Sequence, residues 1–218
     1  MIQVENLSKT YQGNNILDNL ALTVQPGQTV AILGPSGSGK TTLLRLIAGL
    51  DQPDGGTIAL AGQVVSSPTQ TLAPHQRHIG FVFQTPILWP HMTISQNIAF
   101  GLGHLTAPVK KQRIQQLLER LAIAPLAHRY PYQLSGGEAK RASLARVLAP
   151  HPPYLLFDEP LTNLDLSLKQ TLLHYIRDYL DLTAACAIYV THDLTEAQYL
   201  SGQIFWLKGG KLQPDAIS

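Results

Sequence analysis

The residues with the clearest chemistry form one run, Gly34-Pro35-Ser36-Gly37-Ser38-Gly39-Lys40-Thr41, with Thr42 directly after it. The spacing is G-x-x-x-x-G-K-[ST], and it lies between an apolar run, Thr29 to Leu33, and a stretch of helical periodicity. Glycines let the backbone curl until successive N–H groups converge on phosphate oxygens, and a following helix adds its N-terminal donors and dipole. Lys40 supplies a mobile positive charge for β- and γ-phosphates, and the Thr41 hydroxyl is a ligand for Mg²⁺. A second constellation, Asp158-Glu159, closes the apolar run Tyr154 to Phe157. Two adjacent carboxylates there are costly unless a cation, a water or a donor uses them. Paired with the glycine loop, Asp158 reads as the holder of Mg²⁺, and Glu159 as the group that orients or deprotonates an attacking water.

The elements that must position these groups are legible from periodicity. Ile2, Val4 and Leu7 are spaced for a strand, Gln12 to Asn15 is a turn, and Ile16 to Val24 holds a second apolar segment. Thr29 to Leu33 predicts a strand covered on both faces, and Leu43, Leu44, Ile47, Ala48 and Leu50 predict a helix after the loop. Thr57 to Leu60 and Gln63 to Val65 predict a hairpin around Ala61-Gly62, a weaker turn signal than Asn-Gly. Residues 66 to 78 read as loop, Ile79 to Phe83 as strand, and Thr93 to about Ala149 as helical, with an apolar stripe at Ile114, Leu117, Leu118 and Leu121. The remainder predicts a strand at Tyr154 to Phe157, a helix from about Leu166 to Leu180, and a strand at Ala185 to Val190. A short helix follows His192, with terminal strands around Ile204 to Leu207. The expectation is an α/β core interrupted by a helical subdomain, without internal repeats.

Composition narrows the function. Of 218 residues, 44% are hydrophobic and only 14% charged, against about 25% in a usual soluble domain. Sixteen Lys and Arg against fourteen Asp and Glu leave +2, which argues against nucleic acid as a partner bound through a basic surface. Apolar residues along the whole length argue against disorder. The single cysteine, Cys186, excludes an intramolecular disulfide, fits a reducing compartment and reads as a small hydrophobe in a strand. No apolar run reaches membrane-spanning length, and the N-terminus is too polar for a signal peptide.

Five further motifs, in order, resemble those of the ATP-binding cassette family. Leu134-Ser135-Gly136-Gly137-Glu138 resembles its signature motif. Gln84, after Gly80-Phe81-Val82-Phe83, resembles the Q-loop glutamine, and Leu161 to Asp165 stands where the D-loop belongs. Thr191-His192-Asp193 follows Ile188 to Val190, where the switch histidine belongs, and Tyr11 takes the place of the aromatic that stacks on adenine. The resemblance implies a P-loop NTPase of ABC ATPase type: a RecA-like core, about 1–88 and 151–218, with an N-terminal β subdomain and an inserted helical subdomain, about 89–150, in one 1–218 domain. It implies ATP as ligand, held by Tyr11, residues 34 to 42, Ser135, Gly136, Gly137 and Asp165, and Mg²⁺ held by Thr41, Gln84 and Asp158. Glu159, His192, Gln84 and Lys40 are implied to act in hydrolysis. The signature works in trans, on ATP held by the other member of a head-to-tail homodimer or cassette pair. The other seven histidines read as surface or packing residues, and Tyr11 beside a turn is also open to simple packing. Arg141 and Arg146 read as supports of the signature helix. Departures from the family pattern (Glu138 for Gln, Ala139-Lys140, Thr162 for Ser, and Pro150 ending the signature helix) remove no required chemical group.

The segment Thr85 to Ile94, with Asn97 to Leu102, resembles the part of bacterial importer ATPases that forms the groove for a permease coupling helix. Leu88, Trp89 and Met92 are then an exposed docking face, although Trp89 is equally open to a place in the core. The resemblance implies a peripheral protein at the cytoplasmic face of the cell membrane. The same resemblance implies that it drives import of a small solute or ion through a separate integral membrane permease, with a substrate-binding protein as a further partner. The chain's end at Ser218 leaves no room for the regulatory β-domain that several such importers carry. The alternatives are an exporter or lipoprotein-release ATPase and, less favoured, a soluble cassette ATPase outside transport; the latter usually shows a coiled coil or a second cassette, neither seen here.

Overall fold

Two tight turns organise the N-terminal sheet in the computed structural model, which describes residues 1–215. Strands β1 (Ile2–Tyr11) and β2 (Asn14–Val24) join through Gln12-Gly13, with φ of 50° and 81°. Strands β4 (Gly55–Leu60) and β5 (Gln63–Ser66) join through Ala61-Gly62, with φ of 49° and 83°. Positive φ at both turn positions matches the twist of the flanking strands, so even Ala61 adopts it. The antiparallel order is β2-β1-β4-β5. Ile2, Val4 and Leu7 are all buried although their spacing breaks strict alternation. A register shift between Val4 and Leu7, with Asn6 at φ 51°, resets the parity and returns Leu7 to the core.

The second sheet has the order β10-β9-β3-β8-β7-β6. It contains β3 (Thr29–Leu33), β6 (Ile79–Val82), β7 (Tyr154–Asp158), β8 (Cys186–Val190), β9 (Gln203–Lys208) and β10 (Lys211–Pro214). Strand β3 runs parallel to both β8 and β9, and β7 runs parallel to β8. Every residue of β7 and β8 is buried, as their unbroken apolar sequences require. The strand expected to reach Phe83 ends at Val82, and the last predicted strand is a β9–β10 hairpin.

The described chain divides into two compact units: one of Met1–Phe81, Pro153–Glu159 and the chain from Leu180 onward, the other of Val82–Pro152 and Pro160–Tyr179. The first holds the N-terminal sheet, most of the second sheet, and helices α1 (Lys40–Ala48) and α6 (Leu194–Leu200). Its core joins Ile2, Leu20 and Ile58 of the antiparallel sheet to Leu43 and Ile47 of α1 and to Ile32, Leu156 and Ile188 of the parallel strands. Burial of this apolar area is the main stabilising term.

The second unit holds α2 (Ile94–Ala99), α3 (Ala107–Arg120), α4 (Gly136–Leu148) and most of α5 (Leu166–Thr183). The helical block expected from Thr93 to about Ala149 contains three helices; a 3₁₀ turn at Phe100–Leu102 lies between α2 and α3, and two more, at Ala124–Leu126 and Pro131–Gln133, lie between α3 and α4. Pro125 and Pro131 lack the N–H that a continuing helix needs. Thr93 and Gln96 cap α2 reciprocally, and Ser135 and Glu138 cap α4 in the same way. The stripe predicted for α3 is confirmed at Leu117, Leu118 and Leu121, which are buried; Ile114 is half-buried.

Two buried polar residues fasten the loops. Arg77, only 2% exposed, lies in the segment read as plain loop. Its guanidinium donates to the carbonyls of Leu46, Ile47, Val65 and Leu72 and to the Ser66 hydroxyl, at 2.7–3.3 Å. Burial pushes its pKa down to about 10, so it stays charged and all its bonds are charge-assisted. Asn97, fully buried on α2, accepts from the Trp89 N–H at 2.8 Å and donates to the carbonyls of Trp89, Met92 and Thr93.

Candidate functional site

The carboxyl ends of β3, β7 and β8 bring together the residues singled out in the first unit, at the edge where parallel sheets hold ligands. After β3 the chain turns through the glycine loop into α1, whose N-cap is Gly39 at φ 101°. Only glycine fits there. A Cβ would stand 2.9 Å from Ile16 Cγ2, and the φ is one that L side chains rarely adopt. Gly39 also brings no side-chain acceptor to the first-turn N–H groups, which is the arrangement of an anion site.

Lys40 is 6% exposed. Its ammonium donates to the carbonyls of Gly34 at 2.8 Å and Pro35 at 3.0 Å, and stands 4.0 Å from Glu159 Oε1. Burial lowers its pKa, with the carboxylates of Glu159 and Asp158 opposing that shift. Ser38 Oγ, on the same loop, is buried without a hydrogen-bond partner. A buried polar atom of this kind needs an account, and a ligand oxygen supplies one.

Thr41 Oγ1 donates to Asp158 Oδ1 at 3.1 Å. Asp158 is 6% exposed, and burial raises its pKa while the Thr41 hydrogen bond works the other way. The two oxygens form a hard-donor pair suited to Mg²⁺, which uses few protein ligands and keeps several waters. Glu159 follows with φ 45°, an uncommon conformation for a residue with a side chain, while its N–H donates to the Val190 carbonyl at 2.9 Å. That turn swings its carboxylate to His192, whose Nδ1 lies 3.1 Å from Glu159 Oε2. With an ionised carboxylate as partner, Nδ1 carries the proton.

Tyr11 ends β1, half exposed. Its hydroxyl donates to Asp51 Oδ2 at 3.0 Å, and Lys9 Nζ lies 5.2 Å from its ring centroid. Asp51 also takes two hydrogen bonds from Arg45, at 2.7 and 3.0 Å, which tie the ring to the end of α1.

The second unit carries the other candidates. Gln84 is exposed just after β6. Ser135 is the N-cap of α4: its hydroxyl accepts from Glu138 N–H at 3.3 Å, and Glu138 Oε2 accepts from Ser135 N–H at 2.7 Å. That backbone hydrogen bond holds the Glu138 carboxyl below its usual range. A Cβ on Gly136 would meet nothing within 4 Å, whereas one on Gly137 would stand 3.1 Å from Leu168. Asp165 accepts from the Leu168 N–H at 2.9 Å and so caps α5. Lys140 on α4 donates to the Thr162 carbonyl. Arg141 donates to the carbonyls of Leu121 and Ala122, and Arg146 to that of Ile87 at 2.8 Å, so both do support α4.

The expected docking face needs correction. Leu88 and Met92 are half-buried, while Ile87, Trp89 and Phe100 are exposed. Trp89 and Phe100 lie 5.6 Å apart, with the Arg146 guanidinium 5.1 Å from the Trp89 ring centroid. Sequence reasoning also passed over Arg77, Asn97 and Glu196. The capping boxes did have a signal, in Thr93-x-x-Gln96 and Ser135-x-x-Glu138.

Residues 17–162 match the family model for the ABC transporter. A "Probable sulfate/thiosulfate import ATP-binding protein" of Chlorella vulgaris is 42% identical over 213 residues, which are 97% of this chain and 89% of that protein. An "Fe(3+) ions import ATP-binding protein" of Rhodococcus jostii is 44% identical over 212 residues; the match covers 97% of this chain but only 60% of the relative's length. Among solved structures, the ATP-binding cassette MJ0796, described as a dimer in a post-hydrolysis state bound to ADP and Pi, superposes with a TM-score of 0.89. It is 29% identical, with 100% of this chain and 99% of that chain covered.

Proposed function

The chain belongs to the ABC transporter family, with the fold of its ABC-type ATPases, and on that premise we propose that it hydrolyses ATP with Mg²⁺ as one member of a head-to-tail pair and thereby drives import of a small solute or ion. The observation that carries this reading is the Thr41–Asp158 hydrogen bond, set beside Lys40 and Glu159 at the carboxyl ends of β3 and β7, which flank β8.

In this reading the N–H groups of the glycine loop and the buried Ser38 hydroxyl receive the phosphate oxygens, and Lys40 leaves its backbone carbonyls for the β- and γ-phosphates. Thr41 and Asp158 would hold Mg²⁺, which when bound would neutralise developing charge on the phosphates. Glu159 orients a water and accepts its proton as the water oxygen bonds to the γ-phosphorus. The bond to the β–γ bridging oxygen breaks, and ADP leaves. His192 steadies Glu159 and donates towards the γ-phosphate. By the family resemblance Gln84 would be a metal ligand, and Tyr11 would pack against adenine.

The capped N-terminus of α4 supports action of the signature motif in trans. Ser135 presents a hydroxyl there, and the open space at Gly136 lets a phosphate approach the backbone closely. Fe(3+) and sulfate/thiosulfate relatives carry import in their names, which supports import over export. No helix among the described residues is long and apolar enough to cross a membrane. The reading therefore gives passage to separate permease subunits, with a substrate-binding protein where one serves them. The chain lies peripherally at the cytoplasmic face, and Ile87, Trp89 and Phe100 meet the permease. The test is ATP hydrolysis by the purified protein with Mg²⁺, followed by co-purification with membrane permease subunits from its native host. No hydrolysis with or without that permease overturns the reading.

A further inference from the structure

A buried carboxylate stands directly behind the switch histidine, and the hydrolysis scheme above gives it no role. Glu196, on α6, is 4% exposed. Its Oε2 accepts from the Tyr189 hydroxyl at 2.9 Å and from Thr191 Oγ1 at 2.7 Å. Thr191 Oγ1 in turn accepts the Asp193 N–H at 3.1 Å. The Thr191 hydroxyl is thus oriented from two sides, giving its proton to Glu196 and taking one from the backbone of Asp193. Thr191 N–H also donates to the Ile32 carbonyl at 3.3 Å, at the end of β3.

His192 sits between these two fastened residues, with its own ring largely in solvent and its Nδ1 on Glu159. The network holds the backbone on both sides of the histidine while leaving the imidazole itself untouched. Tyr189 is fully buried, its ring tilted against Phe157 with centroids 5.5 Å apart, so the network's far end is anchored in the strand that carries Asp158 and Glu159. An apolar residue at 196 would avoid the desolvation cost of a buried carboxylate. Retaining one is physically reasonable where orientation matters more than stability.

We propose that Glu196 is a positioning residue for ATP hydrolysis: through Thr191 it sets the backbone that presents His192 to Glu159 and to the γ-phosphate. This rests on the ATPase reading. Glu196 is buried, and Tyr189 and Thr191 donate to its carboxylate, so its replacement is expected to slow the chemical step and leave nucleotide binding in place.

The test compares steady-state ATP hydrolysis, with Mg²⁺, of the wild-type chain, Glu196→Gln, Thr191→Val, Thr191→Ser, His192→Ala and the double variant Glu196→Gln/His192→Ala. Glu196→Gln and Thr191→Val are expected to lower kcat about tenfold or more, with KM within about twofold of wild type. Thr191→Ser, which keeps the hydroxyl, is expected to recover most of the loss. On the His192→Ala background the Glu196 substitution should cost less than about twofold more, because the residue it serves is gone. Wild-type kcat in Glu196→Gln, or a full additional loss on the His192→Ala background, overturns the proposal. If Glu196→Gln does not fold, the Thr191→Val and Thr191→Ser pair decides: equal activities refute it, and a loss confined to the valine variant supports it. An inactive wild type overturns the ATPase reading and this proposal together, whereas an active wild type indifferent to position 196 overturns this proposal alone.

Discussion

His192 Nδ1 and Glu159 Oε2 lie 3.1 Å apart, although the residues come from the ends of different strands and Glu159 reaches the contact only by adopting φ 45°. The same carboxylate has its other oxygen 4.0 Å from the Lys40 ammonium. One side chain is therefore in reach of both the cation of the phosphate loop and the imidazole after β8. In the proposed scheme this places the general base between the Lys40 ammonium and the His192 imidazole.

Glu159→Gln keeps the shape and removes the base. Hydrolysis should fall by about 10²–10⁴-fold while ATP affinity is retained. Sedimentation with ATP and Mg²⁺ should then show a stable pair of cassettes; a monomer under those conditions would contradict the assigned role.

Lys40→Ala removes a cation that is already desolvated. Loss of charge-assisted bonds to phosphate is worth about 1.5–3 kcal/mol, so ATP affinity should drop roughly 10- to 100-fold. Calorimetry measures it directly. Unchanged affinity would move phosphate binding away from this loop.

Gly49→Ala should destabilise the first unit without touching the nucleotide residues. A Cβ on Gly49 would stand 2.4 Å from Arg77 Nε, and the residue sits at φ 78°. A loss of about 1–3 kcal/mol is expected from the strained backbone and the displaced guanidinium. Urea unfolding reads it, and an unchanged midpoint would mean that Arg77 moves aside freely.

Strong acid should loosen the end of α1. Hydrogen bonds from Arg45, and next from Tyr11, hold the Asp51 carboxyl below its usual range. A depressed folded-state pKa contributes stability that is present above the unfolded value of about 3.9 and is lost as pH falls through the folded one. Arg45 is partly exposed, so the contribution is modest, below about 1 kcal/mol. Asp51→Asn should flatten the stability profile below about pH 4 in urea titrations. An identical profile in the variant would show that the network carries no linked proton.

Trp89→Glu should lower solute uptake per ATP hydrolysed in vesicles that contain the permease. It puts a charge into an exposed aromatic pair already shared with Arg146. Undiminished coupling would remove this face from the permease contact.

The parts of the site that were legible in the sequence are those whose chemistry is local. The loop from Gly34 to Thr41 and the Asp158-Glu159 pair each declare themselves within a few residues, and the apolar strands that carry them are unbroken. Arg77 and Asn97 were not legible because their partners are mostly backbone carbonyls, which leave no mark on residue type. Glu196 fell to the same difficulty: its pairing with Tyr189 and Thr191 needs β8 and α6 to be packed before it exists. Within the helical block from 93 to 149 the 3₁₀ turns were not legible because apolar periodicity survives across them, and Pro125 and Pro131 were the available breaks. Which of residues 87 to 92 face outward was likewise not legible, because apolar type does not distinguish the exposed Ile87 and Trp89 from the half-buried Leu88 and Met92.

The pairing of β3 also sets a timetable for synthesis on the ribosome. Its neighbours β8 and β9 come far later in the chain, and the Thr29 carbonyl takes its hydrogen bond from Ser201, 172 residues downstream. At about 5–20 residues per second, the strand that feeds the phosphate loop waits roughly 9–34 seconds for these partners. The hairpin of β1 and β2 needs no such delay. Nascent chains arrested before Ser201 should therefore be blind to ATP, and affinity for nucleotide should emerge as one of the last events of translation.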